Sequence, residues 1–313
     1  MKNPLRKRLL RELKSEFGKY LVIFLLLAGT ISLVSGFLVA DGSLLIAYNE
    51  GVERYNIEDG NFRLGEKANK AQLKSIRDLG VTVYDLFYAE EALTNGSTLR
   101  IYPNREQVDL VCLMQGAMPT SADEIAIDRM NADNNSLTIG DTLESGARSW
   151  TVTGLVALPD YSCLFRDNND SMFDAVKFGV AIVTPEMFED FSKDELYWNY
   201  AWKYDVKPAE GKPEQDAAED LMQGILNEAE LENFIPTYQN QAIQFTGDDM
   251  GGDKAMMVIL LYIVILIMAF VFGITTSNTI SKEANVIGTL RASGYTKNEL
   301  IRHYMTMPTI VTL

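Results

Sequence analysis

Histidine and cysteine are scarce in this sequence, and their scarcity excludes several kinds of site. The 313 residues contain one histidine, His303, and two cysteines, Cys112 and Cys163. Because no CxxC pair occurs, the sequence predicts no transition-metal site. The GxSxG and HExxH motifs are missing as well, and no motif marks a pair of groups for general acid–base catalysis. We therefore predict no catalytic residues, no metal and no cofactor.

Phosphate-binding features are missing too. Neither GxxxxGKS nor GxxxxGKT occurs, so the chain is not expected to bind nucleotide through a P-loop. The formal net charge is −15 at pH 7, and an acidic surface repels the phosphates of DNA and RNA. The composition therefore predicts that nucleic acid is not a partner.

Two long apolar runs interrupt an otherwise polar chain. Residues 20–40 and 255–275 each hold 21 residues without a charged side chain. About 20 apolar residues in a helix cross the ~30 Å hydrocarbon core of a bilayer, where the backbone must satisfy its own hydrogen bonds. We predict transmembrane helices over 20–40 and 255–280. A cleaved signal peptide is the alternative for the first run, but its apolar stretch exceeds the usual length of about 7–15 residues.

Charge divides the chain into three parts. Residues 1–19 carry a net charge of +5, residues 41–275 carry −22, and residues 276–313 carry +2. Basic flanks mark the cytoplasmic side of spanning helices, so both ends are expected inside the cell and residues 41–254 outside. This outer segment is long enough to bury its own core. The predicted fold is a membrane protein of the plasma membrane, with a large mixed α/β extracytoplasmic domain inserted between the first two transmembrane helices.

The outer segment contains short stretches rich in β-branched and aromatic residues and bounded by turn residues. The predicted strands are 61–64, 81–86, 98–102, 109–114, 124–128, 150–158, 176–183 and 200–206. The predicted helices are 67–79, 185–191 and 214–233. Residues 246–254 are rich in glycine and aspartate, which predicts a flexible, solvated stalk and not a metal site.

The first nineteen residues read as a cytoplasmic amphipathic helix. Leu5, Leu9, Leu13 and Phe17 recur every fourth position among basic residues. Such a helix lies in the lipid headgroup layer, held by its apolar stripe and its cations. A plain basic flank without structure is the alternative.

Small residues repeat along the first transmembrane helix, at every fourth position. A face of this kind lets two helices approach closely in lipid, which predicts a packing seam. The residues of this face are Ala28, Ser32, Gly36 and Ala40.

The two cysteines leave two interpretations open. Cys112 and Cys163 both fall in the outer segment, where an oxidising environment is compatible with a disulfide between them. Two buried free thiols are the alternative.

Residues 281–303 follow the second transmembrane helix and have a pattern of their own. Glu283, Ile287, Leu290 and Arg291 fall on one face of a short helix. Gly294 is placed to end that helix in the left-handed conformation. Thr296 and Glu299 have the spacing of a capping box that starts a further helix. Residues 304–313 are apolar again and predict the beginning of a third transmembrane helix.

This segment resembles the cytoplasmic loop of FtsX-like permeases (the MacB/FtsX type), in which a KE-x-x-x-IGTLRA-x-G pattern forms the coupling helix. A second stretch, residues 116–161, resembles the signature region of the extracytoplasmic domain of that family. The residues matching the coupling pattern are Lys282, Glu283, Ile287, Gly288, Thr289, Leu290, Arg291, Ala292 and Gly294.

The resemblance implies a permease subunit of an ABC transporter or of a mechanotransmission complex. Its coupling helix is expected to dock on a separate cytoplasmic ABC ATPase, and its other partners are membrane lipid and a second permease subunit, in a homo- or heterodimer. Members of the family have at least four transmembrane helices, whereas this sequence stops about ten residues into the third. We therefore expect the N-terminal portion of a longer permease, or a shortened reading frame.

A two-helix signalling receptor with an extracytoplasmic sensor domain is the alternative function. Such a receptor has a long, heptad-patterned cytoplasmic helix after its second transmembrane helix. The glycine at position 294 and the renewed apolar run after it argue against that pattern. No residue pattern selects a transported substrate.

Overall fold

A computed structural model of the protein describes Arg11, Lys14 and residues 17–312. The predicted amphipathic helix over residues 1–19 therefore lies almost entirely outside the described residues. The chain divides into two compact units, of which one is formed by residues 45–249 and the other by the residues before and after them. The predicted outer domain, 41–254, corresponds to the first of these units with slightly shorter ends.

In chain order, the helices and strands are α1 (Phe17–Arg54), β1 (Gly60–Leu64), α2 (Lys70–Arg77), β2 (Val81–Asp85), β3 (Tyr88–Ala92), β4 (Thr98–Pro103), β5 (Cys112–Gly116), β6 (Glu124–Asp128), α3 (Arg129–Asn135), β7 (Thr142–Glu144), β8 (Ser149–Ala157), β9 (Phe178–Val183), α4 (Pro185–Phe188), β10 (Leu196–Tyr204), α5 (Lys212–Glu228), β11 (Leu231–Pro236), α6 (Gln241–Lys282), α7 (Ala284–Ala292) and α8 (Lys297–Thr312). Short 3₁₀ turns occur at Pro159–Tyr161, Lys193–Glu195 and Thr237–Gln239.

Two helices, α1 and α6, are long and apolar enough to cross a membrane. They contain the predicted spans 20–40 and 255–280. On one side, Tyr20 and Ile23 of α1 form a small buried cluster with Met268 of α6. The remaining apolar side chains of both helices are mostly exposed, as expected where lipid and not protein surrounds a helix.

The 45–249 unit is built on a sheet of 11 strands among its described residues. The strand order is β11-β1-β10-β3-β4-β9-β6-β8-β5, with β2 pairing to β10 and β7 pairing to β8. The pairs β4–β9 and β6–β8 are parallel and the others are antiparallel. This mixed sheet with its helices confirms the predicted α/β class.

Aromatic side chains fill the core beside β1 and β10. The rings of Phe62 and Tyr200 stack with centroids 5.3 Å apart, and those of Trp202 and Phe234 stack at 4.7 Å. A Cβ atom at Gly60 would come within 2.3 Å of the Trp202 indole ring. Glycine at that position therefore lets the indole lie directly against the strand.

A second core lies around β9, whose six residues are all buried. Trp150, Ile125 and Leu99, from three neighbouring strands, are each at most 1% exposed. A continuous apolar run buried on both faces is typical of a central strand. This core stabilises the strands that come after β10 in the strand order, from β3 to β5.

The predicted strands each overlap a strand of the structure, and 124–128 coincides with β6. Three strands were missed: β3, β7 and β11. Glu90 and Glu91 make β3 a poor strand by propensity, but they pair with Arg100 and Arg148 from elsewhere in the chain. The missed helix α3 is capped by Asp128, whose carboxylate accepts the N–H of Met130 at 2.8 Å.

Two predictions for the outer segment were wrong. Residues 246–254, predicted as a flexible stalk, lie inside the continuous helix α6, because the adjoining apolar span extends the helix through the glycines. The predicted helix 214–233 ends at Glu228, and Ala229 is extended, with φ −152° and ψ 160°. The last part of that range belongs to β11.

Candidate coupling segment

The candidate coupling segment begins where α6 ends. Glu283 interrupts the helical backbone, with φ −101° and ψ 12°, before α7 starts at Ala284. The Tyr304 hydroxyl of α8 donates a hydrogen bond to the Glu283 carboxylate. Glu283 therefore marks the junction between α6 and α7 and ties that junction to α8.

The other end of α7 is closed by glycine, as the sequence predicts. Gly294 has φ +94°, a left-handed conformation that residues with a Cβ atom resist. Its N–H donates to the Arg291 carbonyl at 3.1 Å, and the N–H of Tyr295 donates to the Leu290 carbonyl at 3.2 Å. This pair of bonds is the Schellman arrangement that ends many helices.

A capping box starts α8 immediately afterwards. The N–H of Thr296 donates to Glu299 Oε2 at 2.8 Å, and the N–H of Glu299 donates to Thr296 Oγ1 at 3.3 Å. These bonds to Thr296 also lower the pKa of the Glu299 carboxyl. The segment is therefore two helices, each with its own capping, joined by a tight turn.

One side of α7 faces helices of its own chain. Ile287 and Arg291 line a groove of about 370 Å³. Ile287 and Leu290, which lie on the predicted face of the coupling helix, are both half-buried. Ile287 faces inward because α8 folds back beside α7. Other side chains of the groove are Ile280, Leu300 and Met305.

The outward side of α7 has one large apolar residue. Val286 is 39% exposed, and Thr289 and Ser293, which share its face of the helix, are exposed near it. A Cβ at Gly288 would have no heavy atom within 4 Å, so the helix backbone is accessible there. The sequence did not single out Val286, because the amphipathic pattern places it off the apolar face of the helix. It did not single out Tyr304 either, because the hydrogen bond from Tyr304 to Glu283 joins two different helices.

The small-residue face of α1 is not covered by a helix among residues 17–312. Ala28 is half-buried, whereas Ser32, Gly36 and Ala40 are exposed. The side of α1 that packs on α6 is a different one, formed by Tyr20 and its neighbours. The small-residue face is therefore not the side of α1 that contacts α6. Its packing against another helix stays a prediction.

The cysteines are both free thiols. Cys112 Sγ lies 3.7 Å from Met114 Sδ, and Cys163 Sγ lies 3.7 Å from Thr246 Oγ1. Cys163 is buried and Cys112 is half-buried. The structure thus corresponds to the free-thiol alternative, except that only one of the two is fully buried.

The second resembling stretch, residues 116–161, supplies scaffold. A Cβ at Gly154 would meet the Ala117 carbonyl oxygen at 2.4 Å, so β8 passes close to the preceding loop there. Gly140 has φ +99°, and the next residue, Asp141, accepts the N–H of Thr138 at 2.7 Å. These are turn and packing roles, as expected from the sequence.

Comparison with known proteins finds a family match at the C-terminus. Residues 258–313 match the family described as FtsX-like permease C-terminal. No match was found among curated proteins.

Two solved structures are similar to parts of the chain. One is the extracellular domain of the noncanonic ABC-type transporter YknZ from Gram-positive bacteria, with 14% identity, a TM-score of 0.29, and coverage of 55% of this chain and 100% of that one. The other is the periplasmic region of MacB from Actinobacillus actinomycetemcomitans, with 10% identity, a TM-score of 0.31, and coverage of 60% and 91%. The family match, which includes α7 and α8, confirms the resemblance predicted from the sequence: residues 258–313 of this chain are similar to the FtsX-like permease C-terminal family.

Proposed function

We propose that this chain is the transmembrane permease subunit of an ABC transporter or mechanotransmission complex. In this proposal a separate ATPase hydrolyses ATP and pushes on α7, and the displacement moves the domain formed by residues 45–249. The chain itself is not an enzyme. The observation that carries the proposal is a short helix, ended by a glycine turn, within the segment that matches the permease family.

The ends of α7 support a mechanical role. A helix transmits a push only if its ends do not fray, and the Schellman turn at Gly294 satisfies the carbonyls that would otherwise fray first. At the other end, the Glu283–Tyr304 hydrogen bond links α7 to α8. A force on the exposed side of α7 therefore reaches two further helices.

Helix α6 supports the second part of the proposal, in which displacement of α7 moves the domain formed by residues 45–249. It is one uninterrupted helix from Gln241 to Lys282, where the coupling segment begins. A hydrogen-bonded helix resists bending and compression better than a loop. In this proposal α6 is the part of the chain that carries movement from α7 towards the outer domain.

The remaining parts of the proposal concern placement. We infer that α1 and α6 span the plasma membrane in contact with lipid, that both chain ends and α7 are cytoplasmic, and that residues 45–249 are extracytoplasmic. The basic flanks and the acidic outer segment support this orientation. The exposed small residues at positions 32, 36 and 40 suit a close contact with another permease helix or subunit.

The test is co-purification from membranes with the ABC ATPase encoded beside the gene. Val286→Asp and Arg291→Glu change exposed residues of α7, and Asn298→Asp is a matched change at an exposed position of α8. We expect the ATPase to be lost with the first two variants and retained with Asn298→Asp, while all three insert into membranes. Equal recovery of the ATPase with all variants would contradict the docking role of α7.

A further inference from the structure

A polar recess lies within the 45–249 unit, away from the coupling segment. Its volume is about 70 Å³, which is room for about two water molecules. Arg166, Asp167 and Asn233 lie at its exposed rim, and Glu58 and Asp160 lie at its buried end. Side chains from distant parts of the sequence therefore converge on one concave site.

The buried end of the recess has carboxylate oxygens without protein partners. Glu58 is 3% exposed. Its Oε1 accepts hydrogen bonds from Asn61 at 2.5 Å and from Asn240 at 3.5 Å, whereas Oε2 has no donor among the described residues. The Glu58 carboxyl also lies within hydrogen-bonding reach of the Asp109 carboxyl, so a proton can be shared between them. Asp160 Oδ2 accepts from Arg105 at 2.7 Å, and Asp160 Oδ1 likewise has no described partner. Buried acceptors normally have a donor.

The arginines around the recess already have carboxylate partners. Arg63 pairs with Glu232 at 2.9 Å, and Arg100 and Arg166 each lie 2.7 Å from Glu90. None of these pairs includes Glu58. Among the described ion pairs, Glu58 is therefore a buried carboxyl without a cation.

An ionised carboxylate in a protein interior is costly unless a cation or a proton neutralises it. The groups that face Glu58 sharpen this conflict: Asp109 and Asp160 repel its negative charge, and Arg105, the cation near it, is bound to Asp160. Burial, together with Asp109, raises the pKa of the Glu58 carboxyl well above its usual value. We therefore expect the Glu58 carboxyl to release a proton when a cation binds beside it.

The lining indicates which kind of cation fits. No group of three or more His, Cys, Asp or Glu side chains suited to a metal occurs in the described part of the chain. The recess is instead bordered by the aromatic rings of Tyr161 and Phe165, and aromatic rings stabilise organic cations. We propose that this recess binds the ammonium or guanidinium group of a small amine or of a peptide side chain, with Glu58 as counter-ion and Asp160 as a second acceptor.

Binding is expected to displace the proton of Glu58. Affinity for a cationic ligand therefore rises as pH increases, because less free energy is spent on deprotonation. The same displacement releases protons, which calorimetry detects as a dependence of the binding heat on the ionisation enthalpy of the buffer. This readout needs no variant of the protein.

The experiment is titration calorimetry on the full chain in lipid nanodiscs. The probes are agmatine, the tripeptide Lys-Gly-Gly and, for comparison, its neutral analogue N-acetyl-Gly-Gly-Gly-amide. The variants are Glu58→Gln and, as a matched exposed change on α5, Glu219→Gln. We expect an affinity loss of at least tenfold with Glu58→Gln, no change with Glu219→Gln, and proton release on binding to the wild type. Stronger binding of agmatine identifies a free amine as the ligand, and stronger binding of the tripeptide identifies a peptide.

Three results would overturn the proposal: no binding of either cation at millimolar concentration, equal binding of the neutral analogue, or binding to the wild type without proton release. The last result decides the matter even if Glu58→Gln does not fold. The cation-binding proposal does not depend on the coupling proposal. ATPase co-purification and cation binding are measured separately, and either can fail while the other succeeds.

Discussion

The two units of this protein place their apolar side chains in opposite positions. In the 45–249 unit, Trp150 and Trp202 are at most 1% exposed. In α6, Ile265 and Phe270 are 55% and 65% exposed. The same residue class is thus inside in one unit and outside in the other.

This difference shows which solvent each unit meets. Apolar area leaves water when the sheet domain folds, and that burial drives its folding. A helix with apolar side chains all round has no aqueous side, and its exposed residues are satisfied by lipid. Charge follows the same division, because the −22 of residues 41–275 lies outside the two apolar runs. The assignment of α1 and α6 to the membrane therefore rests on the contrast between their exposed apolar side chains and the buried ones of the 45–249 unit.

The largest expected effect comes from placing charge on the outward face of α6. Leu266→Asp combined with Phe270→Asp is expected to cost about 5–7 kcal/mol of insertion free energy, because each central Asp costs about 2.5–3.5 kcal/mol. The measurement is the fraction of protein that resists carbonate extraction from membranes. Leu226→Asp, at a 48% exposed position of α5, is the control and leaves insertion unchanged. Normal insertion of the double variant would break the comparison.

A core truncation in the sheet domain is expected to have the next largest effect. Trp202→Ala removes a fully buried indole between Phe62 and Phe234, which typically costs about 3–5 kcal/mol. The unfolding free energy is measured by urea titration of the full chain in detergent. Val206→Ala, at an 86% exposed position, is expected to change it by less than about 0.5 kcal/mol. A similar loss in both variants would show that burial does not stabilise this unit.

A smaller, pH-dependent effect is expected at Asp109. Burial and the nearby Asp160 raise the pKa of its carboxyl from 3.8 to about 7. Between these two values the folded state holds a proton that the unfolded state releases, so stability falls as pH rises from about 4 to 7. Asp109→Asn keeps the acceptor for the Glu58 N–H and is expected to flatten this fall in stability, because the variant has no carboxyl that can hold the proton. The residual slope belongs to neighbouring carboxyls.

Unfolding midpoints across pH 4 to 8 measure this change. Asp220→Asn, at an exposed position of α5, serves as the control and keeps the wild-type slope. A wild-type slope in Asp109→Asn would show that Asp109 does not hold the proton.

The smallest effects are expected in α7 and the turn that follows it, where replacing either of two glycines by alanine is expected to change stability in opposite directions. Gly294→Ala puts a Cβ at φ +94° and is expected to destabilise the turn by about 1–2 kcal/mol. Gly288→Ala lies inside the helix with free space around it and is expected to stabilise α7 by about 1 kcal/mol. Amide hydrogen exchange of residues 284–296 measures both. Changes of the same sign would contradict the capping role of Gly294.

Local features were predictable from the sequence and long-range ones were not. The apolar spans and the turn at Gly294 depend on neighbouring residues, so both were predicted. The recess brings together Glu58, Asp160 and Asn240, which no local pattern connects. Strand β3 was missed for the same reason, since Glu90 needs Arg100 beside it to be stable in a sheet. Sequence predicted the coupling helix but not which of its sides is exposed.

The central claim is that residues 45–249 and α7 lie on opposite sides of a membrane. The direct measurement introduces Val206→Cys or Ser293→Cys, both at exposed positions, into a Cys112→Ser, Cys163→Ser background. Intact cells are then labelled with a membrane-impermeant maleimide. The account predicts labelling of Val206→Cys in intact cells and of Ser293→Cys only after permeabilisation. Labelling of both cysteines in intact cells, or of Ser293→Cys alone, would contradict it.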